Sequence, residues 1–133
     1  MKYVLDANIV IAGLNGVASV QSRLAGVAPS EVGMPIVALA ELTFGAYKSK
    51  RREENLARIA GLRREIAVLP LTEAVAQRYG SIRAELESRG LVKTDFDLII
   101  ACTAMDLEAT LVTNDGALLD GSIPGLQAEN WLS

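Results

Sequence analysis

Residues 1–11 of the chain read MKYVLDANIVI, an apolar stretch interrupted by one acidic and one amide side chain. Tyr3-Val4-Leu5 is short and wholly apolar, which predicts a buried strand that ends at Asp6. The apolar run that begins at Ile9 favours a helix as far as Leu14. A strand that leads directly into a helix is therefore the first element pair of the chain.

The same alternation continues to the end of the sequence. The pattern predicts further strands at Glu31–Ile36, Ala67–Leu69, Thr110–Thr113 and Leu126–Ala128. It predicts helices at Ser19–Ala25, at Val37–Lys50, at Arg52–Glu65, from Thr72 to Gly90, and from Thr94 onward. Strands that alternate with helices indicate an α/β fold, here a single three-layer sandwich with a mostly parallel central sheet flanked by helices.

Length and composition favour one soluble domain over residues 1–133. The chain has 133 residues, a formal charge of -3 and 50% hydrophobic residues, which is enough to bury a core. No apolar run approaches the roughly 18 residues needed to span a bilayer. Asp6 and Asn8 interrupt the apolar start, so we expect no secretion signal and no membrane contact. Cys102 is the only cysteine, and a reducing, cytoplasmic setting is expected.

The chain contains no histidine. This absence excludes Ser-His-Asp hydrolysis, Cys-His proteolysis and histidine-ligated zinc within the chain itself. The glycine-rich dinucleotide and phosphate-loop motifs are absent as well. Any catalysis must then rest on carboxylates, hydroxyls, Lys or Arg.

Acidic residues stand at the ends of predicted strands and the starts of predicted helices. Asp6 follows the first strand, Asp115 follows Thr113, Asp97 lies in the first turn of a helix, and Glu41 lies among apolar neighbours in another. In an open parallel sheet, ligands bind beyond the carboxyl ends of the strands. Four carboxylates there form a plausible cage for Mg²⁺ or Mn²⁺, which prefer oxygen ligands. Such a metal activates water and neutralises phosphate, as phosphodiester hydrolysis requires.

Each acid also has an ordinary structural interpretation. Thr94-x-x-Asp97 resembles a capping box, and a carboxylate in a first turn suits the helix dipole. Asp95 is the nearest rival of Asp97 and is expected to be a dipole or surface residue. Asp115-Gly116 is a common turn signal. Asp6 and Glu41 are costly to bury among apolar neighbours unless they are paired or serve a site.

The ordered set of motifs resembles the PIN-domain ribonucleases, and in particular the VapC-type toxins of type II toxin–antitoxin pairs. The opening strand with its Asp-x-Asn motif is followed by three acidic blocks and a terminal strand with tryptophan. The three acidic blocks are Ala38–Gly45 (ALAELTFG), Asp97–Ala104 (DLIIACTA) and Ala109–Asp115 (ATLVTND), and the terminal segment is Ile123–Leu132 (IPGLQAENWL). The resemblance covers nearly the whole chain.

The resemblance implies a metal-dependent endoribonuclease that uses Mg²⁺ or Mn²⁺ and acts as the toxin of the pair. Asp6 and Asp97 would be the principal ligands, Glu41 would orient or bind a second ion, and Asp115 would complete the cage. The same comparison gives supporting roles to two further residues: Asn8 would hydrogen bond to Asp6, and Thr113 would position water or substrate.

The resemblance also implies an RNA substrate, a homodimer and a cognate antitoxin whose C-terminal segment blocks the acidic site. A mean hydropathy of +0.28 is high for a small acidic monomer, and it independently favours apolar surface covered by another chain. The basic residues Lys48, Lys50, Arg51 and Arg52 have two interpretations. They either contact RNA phosphates or form a solvated helix end.

Two rival functions remain. A phosphoacceptor domain would need a second acid beside Asp6 and a lysine after the last strand, and no lysine follows Lys93. The other rival is a catalytically silent PIN-like binding module. Retention of all four carboxylates argues against it.

Overall fold

A computed structural model describes residues 1–132 of the chain. Within that range, five short strands form one sheet in the order β3-β2-β1-β4-β5, and every pairing between neighbours is parallel. The strands are β1 (Tyr3–Leu5), β2 (Val32–Pro35), β3 (Ala67–Leu69), β4 (Thr110–Val112) and β5 (Ala128–Glu129). The predicted α/β architecture with a mostly parallel sheet is confirmed.

Helices connect the strands and cover the sheet. Their bounds are α1 (Ala7–Leu14), α2 (Ala18–Ala25), α3 (Ile36–Lys48), α4 (Arg52–Glu65), α5 (Glu73–Ser88), α6 (Asp95–Asp106) and α7 (Gly116–Leu119). A single 3₁₀ turn, Pro29–Glu31, precedes β2. Helix α3 packs against α1, α4 and α6, and α6 packs against α5 and α7.

Side-chain caps explain where several helices begin. The side chains of Asp6, Thr72, Thr94 and Asp115 each accept a hydrogen bond from a backbone N–H in the first turn of the helix that follows. These bonds satisfy donors that have no partner within the helix. Two of the predicted site residues, Asp6 and Asp115, therefore also fix the start of a helix.

The core lies on both faces of β1 and β4, the central pair of strands. Val4, Leu5, Leu111 and Val112 are each at most 2% exposed, as expected for strands covered on both faces. Helix α6 contributes a fully buried run, Ile100–Ala101–Cys102. Across residues 1–132, no buried polar side-chain atom lacks a hydrogen-bond partner, and no helix has the length and apolar character needed to cross a membrane.

The topology places a crevice above β1 and β4. The chain runs from β1 outward to β2 and β3, and then crosses back to pair β4 with the other side of β1. Strand order reverses at this point, and a parallel sheet opens a ligand crevice there, at the carboxyl ends of its strands. Leu5 lies opposite Val112 in the register, so the residues that follow them, Asp6 and Thr113, emerge side by side.

Several predicted bounds differ from the structure by one or two residues, and three differences change the interpretation. The last strand is Ala128–Glu129 instead of Leu126–Ala128, and the first helix begins at Ala7 instead of Ile9 because Asp6 caps it. The Asp115-Gly116 pair opens the short helix α7 and is not an isolated turn.

Candidate functional site

Asp6 lies at the centre of the crevice and is only 5% exposed. Its carboxylate accepts hydrogen bonds from the Ala7 N–H (2.8 Å), the Thr113 hydroxyl (2.7 Å) and the Asn8 side-chain amide (3.3 Å). Burial raises the pKa of Asp6, the three hydrogen bonds oppose that rise, and the charge of Asp115 adds to it. The carboxylate is thus held in one orientation but is electrostatically unfavourable as an anion.

Thr113 and Asn8 join the first acidic motif to the last. The Thr113 hydroxyl donates to Asp6 and accepts from the Asp115 N–H at 3.0 Å. The Asn8 side-chain oxygen accepts from the Asn114 N–H at 3.0 Å. The hydrogen bond expected from Asn8 to Asp6 is present. These bonds fix the segment after β4 against the start of α1.

Asp97 occupies the first turn of α6. The hydroxyl of Thr94 accepts from the Asp97 N–H at 3.2 Å, so the capping interpretation is right for the backbone of Asp97. The Asp97 carboxylate, however, is not stabilised as an anion in the way that a carboxylate in the first turn of an exposed helix would be. The pKa of Asp97 is raised to about 6, first by burial and then by Asp115 and Asp6, while the hydrogen bond with Thr94 opposes the shift.

Glu41 reaches the same crevice from α3. Its side chain is exposed, yet its pKa is raised, first by partial desolvation and then by the charges of Asp6, Asp97 and Asp115. Three acids from other segments therefore act on one carboxylate. The sequence interpretation of Glu41 as a carboxylate beside a buried face agrees with its buried neighbour Leu42, which is 5% exposed.

Asp115 caps α7 through its own carboxylate, which accepts from the Ala117 N–H at 2.9 Å. It also raises the pKa values of Asp6, Glu41 and Asp97 by its charge. The structure thus brings all four predicted acids into one electrostatic cluster, here called the acidic site: Asp6, Glu41, Asp97 and Asp115.

The donor chemistry of the acidic site suits a hard divalent cation, because its donors are carboxylate oxygens whose charges repel one another. Cation binding relieves that repulsion. In the present side-chain positions, however, the described residues contain no group of three or more Asp, Glu or Cys side chains that could hold a metal ion.

Asp95, the rival of Asp97, has a different environment. It accepts hydrogen bonds from the Tyr79 hydroxyl at 2.6 Å and from the Arg83 guanidinium at 3.1 Å. These contacts connect α5 to the start of α6 on the exposed surface. Asp95 is therefore a surface residue in an ion pair, as its position in the sequence suggested.

A cavity of about 230 Å³ opens beside Glu41, between α1, α3 and α4. Apolar side chains, including Ile11, Leu42 and Ile59, form much of its wall. Arg58 lies at its rim, where the guanidinium donates to the Leu14 carbonyl at the end of α1. The cavity thus combines an apolar wall with a carboxylate at one edge.

The basic cluster at the α3–α4 junction makes contacts within the chain. The Lys48 ammonium lies 5.8 Å from the centre of the Phe44 ring, and the Arg52 guanidinium lies 5.5 Å from that of Tyr47. Arg51 is 4.0 Å from Glu54. These contacts favour the interpretation of a solvated helix end.

Two residues near the acidic site were missed by the sequence interpretation. Asn114 links Asn8 to Asn130, whose amide donates to the Asn114 side chain at 3.0 Å. Lys93 is buried against α7 through hydrogen bonds to Ala117 and Asp120. No local motif signals either contact, since each partner lies 16 or more residues away in the chain.

Comparison with known proteins gives consistent results. The family model described as PIN domain matches residues 3–121. The chain is 37% identical to the tRNA(fMet)-specific endonuclease VapC of Shigella flexneri and 34% identical to ribonuclease VapC2 of Rickettsia felis, with 98% of each chain covered.

Solved structures give the same result for the fold. VapBC2 of Rickettsia felis, solved bound to a DNA fragment from their promoter, matches with a TM-score of 0.89 and 33% identity over 98% of this chain and 99% of that one. DNA-bound VapBC of Salmonella typhimurium matches with a TM-score of 0.90 and 31% identity over 98% of each chain.

Proposed function

The chain belongs to the PIN-domain family and, within it, to the VapC ribonucleases of toxin–antitoxin pairs, and we propose that its acidic site is a divalent-metal centre that hydrolyses RNA. The observation that carries this proposal is the convergence of four carboxylates, three of which, Asp6, Glu41 and Asp97, have raised pKa values. The pKa of Glu41, for example, is raised by the charges of all three other acids, Asp6, Asp97 and Asp115. A fold gains nothing from such repulsion unless a cation or a cationic partner offsets it.

Mg²⁺ or Mn²⁺ at this site would lower the pKa of an attacking water and stabilise charge on the phosphate and the leaving oxygen. Asp6 and Asp97 are the proposed principal ligands. Glu41 is proposed to orient or bind a second ion, and Asp115 to complete the oxygen donor set.

The remaining residues of the site hold these carboxylates in place. Thr113 donates to Asp6 and accepts from the backbone of Asp115, so one hydroxyl sets the spacing of two proposed ligands. Asn8 adds a second bond to Asp6 and a bond to the Asn114 backbone. These bonds hold Asp6 and the backbone of Asp115 in position before a cation binds, which reduces the loss of side-chain entropy on binding.

Cleavage of RNA by purified, antitoxin-free protein tests the proposal. The substrates should include tRNA(fMet), because the Shigella flexneri relative is named for it, together with other tRNAs and an mRNA. We expect cutting in Mg²⁺ or Mn²⁺, none with EDTA, and at least a hundredfold loss in Asp6→Asn and Asp97→Asn. Circular dichroism of each variant checks its fold.

Two results would contradict the proposal. Cutting that survives EDTA or both substitutions would assign the activity to a contaminating nuclease. Failure of the folded protein to cut any of these RNAs, with no binding of Mn²⁺, would favour the catalytically silent module instead.

We further propose that the cavity beside Glu41 receives the antitoxin. The solved relatives are VapBC toxin–antitoxin complexes, which supports an antitoxin as partner. The apolar wall formed by Ile11, Leu42 and Ile59 suits an apolar side chain, and the neighbouring carboxylates suit a basic one. A segment with both features would cover the acidic site and inhibit cleavage.

We also propose a homodimer formed through an apolar stripe on α3. Ile36, Phe44 and Tyr47 lie on one side of this helix and are 40%, 67% and 53% exposed. Large exposed aromatic side chains in one stripe are typical of protein interfaces. The proposed partner at this stripe is a second copy of the chain.

We also propose a cytoplasmic location, because the proposed substrate is cellular RNA.

A further inference from the structure

Lys93 is a buried lysine whose ammonium contacts a single short helix. Its side chain is 6% exposed. The ammonium donates to the Ala117 carbonyl at 2.6 Å and to the Asp120 carboxylate at 2.7 Å. Burying a lysine is costly unless its charge is paired and hydrogen bonded. The Lys93 ammonium is both paired with a carboxylate and hydrogen bonded to a carbonyl, so its burial is compensated.

The partners of Lys93 are the second residue of α7, Ala117, and the residue that follows the helix, Asp120. Asp120 is the C-cap of that helix, where a cation is favoured by the helix dipole. The Lys93 ammonium holds the pKa of the Asp120 carboxyl well below its usual range, with help from Ser122. The ion pair is therefore maintained over the whole range of physiological pH.

The position of Lys93 in the chain connects this contact to the acidic site. Lys93 directly precedes Thr94, which caps α6 at the backbone of Asp97. The residue it binds, Ala117, donates its own N–H to the Asp115 carboxylate. One ammonium thus joins the segment that carries Asp97 to the segment that carries Asp115.

Helix α7 needs such a contact because it has only four residues. A single helical turn is unstable by itself. On its N-terminal side, α7 is fixed through Asp115 and Thr113. On its C-terminal side, the Lys93 contact fixes it to the loop before α6.

We propose that Lys93 is a positioning residue that sets the separation of Asp97 and Asp115 by tying the loop before α6 to α7. This inference rests on the proposed metal centre, because the separation of these two carboxylates matters only if they act together on a cation. The hydrogen-bond partners of Lys93 include neither the Asp97 nor the Asp115 carboxylate. Its effect is transmitted through Thr94 on one side and Ala117 on the other.

Lys93→Met tests this proposal because it keeps the buried apolar stem and removes only the ammonium. We expect the Mn²⁺ dissociation constant, measured by calorimetry, to rise about tenfold, the low end of the losses seen when groups that orient ligands are removed. We expect kcat for RNA cleavage to fall while KM changes by less than about twofold. In the metal-free protein, the Asp97 and Ala117 amides should exchange hydrogen faster.

Glu87→Gln is the matched control. It breaks an exposed ion pair of similar length within α5, Arg83–Glu87 at 2.8 Å, and leaves both hydrogen bonds of Lys93 in place. This control should leave Mn²⁺ binding and both amides unchanged. Asp120→Asn should show a smaller defect than Lys93→Met, and the double variant should be no worse than Lys93→Met alone.

The proposal is overturned if folded Lys93→Met binds Mn²⁺ as the unchanged protein does, even if its thermal stability is lower. Stability loss without a change in Mn²⁺ affinity would mean that Lys93 only supports the fold. Failure of the unchanged protein to bind Mn²⁺ would overturn the metal centre itself, and this proposal with it.

Discussion

The hydroxyl of Thr113 lies 2.7 Å from Oδ2 of Asp6, and the two residues are 0% and 5% exposed. They are 107 residues apart in the sequence. The parallel pairing of β1 with β4 brings them together, because both follow the last paired residues, Leu5 and Val112. Because Thr113 also accepts from the Asp115 N–H, this contact holds two members of the acidic site next to each other.

Removal of that hydroxyl should damage both stability and metal binding. Thr113→Val keeps the shape of the side chain but leaves the Asp115 N–H without its partner and Asp6 Oδ2 with only the 3.3 Å hydrogen bond from Asn8. We expect the free energy of unfolding to fall by about 1–3 kcal/mol, measured by urea denaturation, with weaker Mn²⁺ binding. Thr113→Ser restores the hydroxyl and should recover most of both. Equal behaviour of the two variants would show that the hydroxyl is unimportant.

The metal-free protein should lose stability as the pH rises above the ordinary range of carboxyl pKa values. The pKa of Asp97 is raised from 3.8 to about 6, and those of Asp6 and Glu41 are also raised. Between the ordinary pKa of Asp97 and its raised pKa in the folded chain, the folded chain holds a proton that the unfolded chain has released. The free energy of unfolding should therefore be highest below about pH 4 and should fall as the pH rises to about 6.

Asp97→Asn isolates the part of that pH dependence that belongs to one residue. In EDTA, the variant should gain stability relative to the unchanged protein as the pH rises from 4.5 to 7.5, measured by urea denaturation at each pH. Saturating Mn²⁺ should reverse the order, because only the unchanged protein would bind it. If the free energies of unfolding of the two proteins differed by the same amount at every pH, Asp97 would not have a raised pKa in the folded chain.

The apolar stripe on α3 should control the oligomeric state. Phe44→Arg introduces a charge where a second copy is proposed to pack, and it should raise the dimer dissociation constant roughly 30-fold or more. Sedimentation velocity measures the change. Leu107→Arg, at an exposed apolar residue that caps the end of α6, is the control and should sediment as the unchanged protein does. A monomeric unchanged protein would rule out the dimer.

The cavity beside Glu41 should distinguish antitoxin binding from catalysis. Ile11 forms part of its wall and is 46% exposed. Ile11→Asn should weaken binding of the antitoxin about tenfold through lost apolar contact, while RNA cleavage by the free toxin changes little. Titration of cleavage with the protein encoded beside this one measures the effect. Inhibition at the same antitoxin concentration for both proteins would place the antitoxin elsewhere.

The sequence predicted the elements of the fold well because local signals were strong there. The strand at Ala67–Leu69 and the helix at Arg52–Glu65 have the predicted bounds. Thr72 and Thr94 cap helices as their residue types favour. Helix α7 was missed because four residues carry too little periodicity to be recognised. The last strand was misplaced because β5 has only two residues.

The acidic site was predicted as a set of residues, but its geometry was not. Motif order and strand ends indicated Asp6, Glu41, Asp97 and Asp115, and the structure brings these acids close enough to perturb one another. Asp95, two residues before Asp97, was expected to be a surface or dipole residue, but its contacts with Tyr79 and Arg83 could not be predicted from the sequence. Long-range contacts of this kind depend on how α5 packs against α6, which no local pattern encodes.

Direct measurement of Mn²⁺ binding tests the central claim, that four carboxylates form one metal centre. Calorimetric titration of the unchanged protein should show binding that Asp6→Asn and Asp97→Asn each weaken by at least tenfold. Asp95→Asn, which removes a carboxylate of the same helix turn but leaves the acidic site intact, should bind as the unchanged protein does. Mn²⁺ binding that persists undiminished in folded Asp6→Asn and Asp97→Asn would contradict the account.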